Sequence, residues 1–445
     1  MSRDSNKRAI SFLKGMIIFL VGIVVGLLLL TLVLNISDKK DPTSEHEING
    51  DVVSSKTEAT TEMITTEAAT AEQQPEQQPP AQATPAEPVD ETEKPKNNAA
   101  GPEVEAMISK MDLHQKVCQL FVVTPESLTG FSQVTEFGDT SKSSFDAYPV
   151  GGLAYFSQNI ESEEQTKTML ANTQSYAKEK TGLPVILCVD EEGGGVARCA
   201  DKLSSVPKLN PMFTYKDQGT QVAYDNAKTI ATYLKGLGFN LDCAPVADTW
   251  SNASNTVIGK RAYSDNFSQT AELVGSAVKG YEENGMKSTL KHFPVHGDTA
   301  TDSHTSTATT SKTLDQLSKE EYLAFQSGIS SGCDVVMVGH ITVTSVSNEP
   351  ASVSKDIVTG ELRNKLGFDG VVITDALNMG AVSNNYSSGE LAVKCIQAGD
   401  DLLLMPSDFK AAVAAVEDAV KNGTISEDRI DESLRRILTL KLEMQ

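Results

Sequence analysis

The chain has 445 residues and a formal net charge of -22 at pH 7. That acidity excludes nucleic acid as a partner, because phosphate binding needs a basic surface, and it suits a well-solvated exterior. The length admits one large domain or two or three small ones.

The chain opens with Arg3, Lys7, Arg8 and Lys14 in a short basic tail, residues 1–14, followed by an uncharged apolar run from Met16 to Leu34. About 20 such residues cross a bilayer as a helix. Residues 15–35 therefore read as a transmembrane anchor, and the preceding basic residues orient it with the rest of the chain outside. The run is longer than a signal-peptide core and no Ala-x-Ala site follows it, so an anchor is the expectation rather than a cleaved leader. Residues 36–101 are rich in Thr, Glu, Gln, Pro and Ala, with almost no large apolar side chains. Such a segment cannot bury enough surface to offset its ordering entropy. It reads as a disordered spacer, with a folded domain over 102–445.

In that domain short apolar runs alternate with amphipathic ones. Strands are expected over Val117–Val123, Gly152–Phe156, Pro184–Val189, Leu241–Val246, Met286–Leu290, Val335–Val338, Val371–Thr374 and Leu402–Met405. Helices are expected over Glu163–Glu179, Val222–Leu237, Thr270–Asn284, Leu314–Ser331, Lys355–Leu366 and Ser426–Leu442. Eight buried strands alternating with helices predict an α/β fold of the TIM-type (β/α)8 barrel class. An open doubly wound sheet has the same periodicity. Polar residues recur just after the runs: Asp190, Asp248, Lys291 with His292, His340 and Asp375. Both architectures keep their chemistry at that edge, so the pattern marks an enzyme more firmly than a barrel. Cys118, Cys188, Cys199, Cys243, Cys333 and Cys395 form no Cys-x-x-Cys pair, and buried free thiols are expected.

The motifs follow in chain order. Val189-Asp190-Glu191-Glu192-Gly193-Gly194-Gly195-Val196-Ala197-Arg198 places three acids, three glycines and an arginine after the third run. The glycines permit a tight turn and close approach of a ligand. Asp190 is a candidate acceptor for hydroxyl groups and Arg198 a candidate partner; a charged surface loop is the bland alternative. Ile258-Gly259-Lys260-Arg261-Ala262-Tyr263 has no motif meaning by itself. The stretch from Lys291 to His304, Lys-His-Phe-Pro-Val-His-Gly-Asp-Thr-Ala-Thr-Asp-Ser-His, holds three of the six histidines. Asp302 can orient the His304 imidazole and leave its other nitrogen free to exchange a proton. His292, His296, Asp298, Asp302 and His304 also form a conceivable metal set, although no His-Glu-x-x-His spacing is present. Val371-Val372-Ile373-Thr374-Asp375-Ala376-Leu377 sets one carboxylate in an apolar context, either as a reactive group or as a helix cap.

Assembled, these pieces resemble glycoside hydrolase family 3, and within it the single-domain β-N-acetylhexosaminidase branch. The likeness runs from Met111 to Leu442. It is carried by Lys291-His292-Phe293-Pro294 with His296-Gly297-Asp298-Thr299, by Asp302-Ser303-His304, by Ile373 to Met379 and by Arg429 to Leu438. The resemblance implies that Asp375 is the nucleophile and that His304, paired with Asp302, is the general acid/base. It further implies that Asp190, Arg198, Arg261, Lys291 and His292 bind N-acetylglucosamine in the −1 pocket. A retaining glycosidase needs a carboxylate to attack the anomeric carbon and a second group to protonate the leaving oxygen. An imidazole with a reference pKa of about 6.5 offers both protonation states near neutrality.

Two positions depart from the branch pattern. Val295 stands where glycine is usual, which would strain a backbone requiring positive φ. Gly195 stands where arginine is usual. The expected protein is a membrane-anchored, extracellular, retaining exo-β-N-acetylglucosaminidase acting on peptidoglycan fragments, with no metal or organic cofactor. A β-glucosidase of the same family, a metal-dependent hydrolase and an inactive wall-binding module remain alternatives.

Overall fold

A computed structural model of the protein describes residues 101–299 and 308–444. Eight parallel strands form its centre: β1 (Phe121–Val123), β2 (Gly152–Tyr155), β3 (Ile186–Val189), β4 (Leu241–Asp242), β5 (Thr289–Phe293), β6 (Val335–Val338), β7 (Val371–Thr374) and β8 (Leu403–Leu404). One ladder runs β8-β1-β2-β3-β4 and another runs β7-β6-β5. Parallel bridges from Leu241 to Lys287 and from Val246 to Lys291 join β4 to β5, and one from Ile373 to Leu402 joins β7 to β8. The ring therefore closes, and the open-sheet alternative is excluded. Every residue of these strands is buried. A strand covered on both faces carries a continuous apolar run rather than an alternating one, which is why the runs were visible in the sequence.

The helices start where the sequence places caps. Ser162 caps Glu163–Thr181, Asn266 caps Phe267–Glu282 and Ser426 caps Glu427–Glu443, each side chain accepting a backbone N–H of the first turn. Three expectations need correction. The Val117–Val123 run is divided, because Asp112 and Gln115 form a reciprocal capping box that draws Leu113–Cys118 into a helix and leaves the strand to begin at Phe121. The Leu314–Ser331 helix breaks into Leu314–Lys319 and Tyr322–Ser330; between them Glu320 and Glu321 both take the Lys312 ammonium. The Lys355–Leu366 segment is wound as a π-helix over Asp356–Lys365. All six cysteines are free and buried.

Among the described residues no helix is long and apolar enough to cross a membrane. The Met16–Leu34 run lies outside the described residues, as does the spacer up to residue 100.

Beneath the barrel, the Lys441 side chain is buried with the Gln119 side-chain oxygen as its partner at 2.7 Å. Burial pushes this amine down to about 7. The unfolded chain holds its proton up to about pH 10.4, so between these values the unfolded state binds more protons and stability rises with pH. The difference in unfolding free energy between the parent and Lys441→Met should therefore move in the parent's favour by about 2–3 kcal/mol from pH 7 to pH 9. Urea denaturation at the two pH values checks this; a constant difference would mean the amine keeps its proton in the fold.

Candidate active site

The acidic loop leaves β3 as a small hairpin, Glu191–Gly193 antiparallel to Val196–Ala197. Its reversal needs glycine at two places. Gly193 and Gly194 have φ of 85° and 62°, and a Cβ on Gly194 would stand 2.8 Å from the Pro211 backbone. Gly195 is different: it is exposed, with open space where a side chain would project. The hairpin puts Asp190 and Glu192 on one side of the extended chain, two residues apart. Both face Lys291, which β5 carries into the barrel mouth.

Lys291 lies inside the strand rather than after it, because β5 runs on through Lys291 and His292 to Phe293. A charged side chain is tolerable there only if paired. Its ammonium is 2.8 Å from Asp190 and 2.6 Å from Glu192. Glu192 is also held by both sides of the Arg261 guanidinium, at 2.8 Å each. Burial opposes ionisation of Glu192, but Arg261 and Lys291 outweigh it and hold the carboxyl well below the usual range. Against their own burial, Asp190 and Glu192 raise Lys291, and Glu192, Asp248 and Asp190 raise Arg261. Arg198 returns to the cluster with one nitrogen 3.7 Å from Asp190 and its guanidinium over the Phe156 ring.

A second constellation hangs on Asp248. One carboxylate oxygen accepts the His296 N–H at 2.7 Å; the other accepts the His292 N–H at 3.1 Å and meets His292 Nδ1 at 2.7 Å. Burial pushes the His292 imidazole well below its ordinary value. The carboxylate holds the proton at Nδ1 and leaves Nε2 as an acceptor. At the end of β7, Asp375 Oδ1 accepts the Ala376 N–H at 2.7 Å. His340 braces this turn through the Ala376 carbonyl at 3.1 Å and the Ser352 hydroxyl at 2.8 Å. Burial opposes ionisation of Asp375, but His292, His340, the Ala376 N–H and Lys291 together hold its pKa below the ordinary value.

A cavity of about 560 Å³ opens at the C-terminal mouth of the barrel. That is the size range of a small-ligand site. Asp190, Arg198, Arg261, Lys291, His292 and Asp375 all line it. Arg261 arrives from the short turn Gly259–Arg261, which no motif singled out. Asp302 and His304 lie outside the described residues. Before them, His296 O accepts from Asn255 at 2.7 Å and Asp298 O from Asn252 at 3.0 Å. After them, Thr310 donates to the Asp298 carboxylate at 2.7 Å. Gly297 is forced by packing, since a Cβ there would fall 1.8 Å from the Thr249 carbonyl. Val295 needs no positive φ: it is buried, and the only non-glycine residue with positive φ among the described residues is Met405. The expected strain at Val295 is thus absent. Among the described residues no three His, Cys, Asp or Glu side chains converge as a metal-holding group.

Sequence reasoning assigned Glu192 no role of its own, marked Asp248 only as a polar residue after a strand and offered His296 only as a conceivable metal ligand, yet these three tie the site together. The alternation from Asp190 to Glu192 was the available signal for the first. Nothing local announces that Asp248 ends beneath His292.

The family model for the glycosyl hydrolase family 3 N terminal domain matches residues 112–440. Beta-hexosaminidase A of Pseudoalteromonas piscicida is 32% identical over 322 residues, covering 67% of this chain and 54% of that protein. A beta-hexosaminidase of Stenotrophomonas maltophilia is 34% identical over 277 residues, covering 60% of this chain and 80% of that protein. A solved family 3 β-N-acetylglucosaminidase from Paenibacillus sp. str. FPU-7 superposes with a TM-score of 0.70 at 36% identity, covering 75% of this chain and 63% of that one. The chain thus spans about half of the first relative's length and under two thirds of the Paenibacillus chain. With the closed barrel, its polar C-terminal mouth and a match over nearly all described residues, the chain belongs to glycosyl hydrolase family 3.

Proposed function

We propose that the protein is a retaining exo-β-N-acetylglucosaminidase that removes terminal β-linked N-acetylglucosamine through a covalent glycosyl-enzyme on Asp375. The observation that carries this reading is Asp375, held in its ionised form, in one cavity with Asp190, Arg198, Arg261, Lys291 and His292. The names of the similar proteins supply the sugar. Asp375 attacks the anomeric carbon. Asp190, Arg198, Arg261, Lys291 and His292 fix the hydroxyl and acetamido groups, with Lys291 and Arg261 sharing Glu192. His304, oriented by Asp302, protonates the leaving oxygen and then takes a proton from water, the role exchange that a two-step retaining mechanism demands.

The uncharged apolar run at residues 15–35 and the polar segment at 36–101, read from the sequence as an anchor and a spacer, support a domain on the outer face of the cell membrane and peptidoglycan fragments as its substrate. The test is hydrolysis of p-nitrophenyl β-N-acetylglucosaminide by the full chain, with and without EDTA, beside the matching β-glucoside. Turnover of the N-acetyl substrate alone, unaffected by chelator, is expected; preference for the glucoside, or loss with EDTA, would replace this reading. His304→Ala should slow an alkyl glycoside about 100-fold or more while leaving the aryl glycoside far less affected, because an aryl leaving group needs little protonation. Equal losses on both substrates would remove His304 from the acid role.

A further inference from the structure

The sugar cavity does not end at its own rim. A second hollow of about 320 Å³ shares Asn378 and Met405 with it and is otherwise lined from the loops after β1 and β8, including Thr124, Glu126, Phe131 and Ser407. Three observations mark it. Phe131 is 54% exposed, and it is the one large apolar side chain recorded as exposed among the described residues. An aromatic ring left in water beside a catalytic mouth is costly unless something covers it. Its loop is braced rather than loose: the Phe131 N–H donates to Thr129 at 3.3 Å, and Glu126 takes the Val134 N–H at 3.0 Å and the Asn159 amide at 2.6 Å. Between the two hollows, Met405 sits at φ 50°, a conformation found at no other non-glycine residue described. Such departures cluster where a site imposes them. Here the Met405 N–H is tied to Val122 at 2.8 Å, so the strained residue bridges β8 to β1 at the junction.

We propose that this hollow is the aglycone subsite and that it takes the second pyranose of a β-linked amino-sugar chain. The apolar face of that ring stacks on Phe131, and the exposed Asn378 amide, which lines both hollows, hydrogen-bonds across the junction. The class follows from the lining. A flat apolar platform edged by hydroxyl and amide groups and by the Glu126 carboxylate, itself an acceptor for the Val134 N–H and the Asn159 amide, fits a pyranose, which has one C–H face and a hydroxyl perimeter, better than an anionic or long aliphatic group. This rests on the exo-glycosidase reading for the first cavity.

The test compares the full-length parent, Phe131→Ala and Asn378→Ala in two ways. The first is kcat/KM for triacetylchitotriose against methyl β-N-acetylglucosaminide. The second is the affinity of triacetylchitotriose against free N-acetylglucosamine, measured calorimetrically in an Asp375→Asn background. Phe131→Ala should lower kcat/KM for the trisaccharide about 3- to 10-fold, mostly through KM, and weaken its binding alike, while leaving the methyl glycoside and the monosaccharide unchanged. Phe131→Tyr should keep the parent values. Equal effects on long and short ligands, or no effect in either variant, would overturn the subsite. A parent that turns over neither substrate but keeps the Phe131-dependent difference in binding would overturn the activity and leave the subsite standing.

Discussion

Asp375→Asn should lower kcat on p-nitrophenyl β-N-acetylglucosaminide by about 10⁴-fold or more while N-acetylglucosamine affinity stays within about threefold. The asparagine keeps the volume and can still accept the Ala376 N–H that the carboxylate now takes at 2.7 Å. It cannot attack the anomeric carbon, because the amide is neutral and its lone pairs are poorly nucleophilic. The neighbouring Lys291, Arg261 and His292 contacts do not involve Asp375 directly, so binding survives. Steady-state kinetics together with calorimetry separate the two effects. Turnover persisting near the parent rate would show that another group attacks and would move Asp375 to a capping role.

Glu192→Ala should destabilise the domain by about 3–5 kcal/mol and weaken sugar binding as well. The side chains of Glu192 and Lys291 are each only 3% exposed, and the carboxylate is shared between Lys291 and Arg261. Removing it leaves two cations facing each other, with only Asp190 to hold Lys291. Glu192→Gln keeps the shape and loses the charge, so its loss should be smaller. The sign with pH is fixed by the depressed carboxyl. Its stabilisation is complete above the unfolded value of about 4.3 and disappears as pH falls through the folded one. The gap between parent and Glu192→Gln, read from urea midpoints, should therefore be constant from pH 8 to pH 5, as an expectation of about zero slope, and should narrow on further acidification. A gap that widens in acid would mean that Glu192 is protonated in the fold.

How much of this was legible beforehand differs from residue to residue. Asp375 stood out as a carboxylate ending an apolar run, but that run alone left a helix cap equally open, and the nucleophile role came only with the family resemblance. Asp190 and Arg198 could be read because two glycines in a forced left-handed conformation bend the chain between them. Arg261 was legible only through family resemblance: its turn has no pattern, and its value comes from Glu192, 69 residues away. The limits of β5 were misread because a lysine and a histidine look like the end of a buried strand. They belong inside it, since Asp190, Glu192 and Asp248 neutralise or accept from them.

The chain's own pattern determined the alternation of strand and helix, the helix caps, and the placement of polar residues after the strands. Those properties are local, set by burial on both faces of a strand and by unsatisfied N–H groups at a helix start. Only the tertiary structure decided that the ring closes, that Glu192 is the common partner of Lys291 and Arg261, that Asp248 sets the His292 tautomer, and that Phe131 stands beside the cavity at the barrel mouth. Each of these joins residues far apart in sequence, and their pairing follows from barrel geometry and from the need to match every buried charge, neither of which a local pattern encodes.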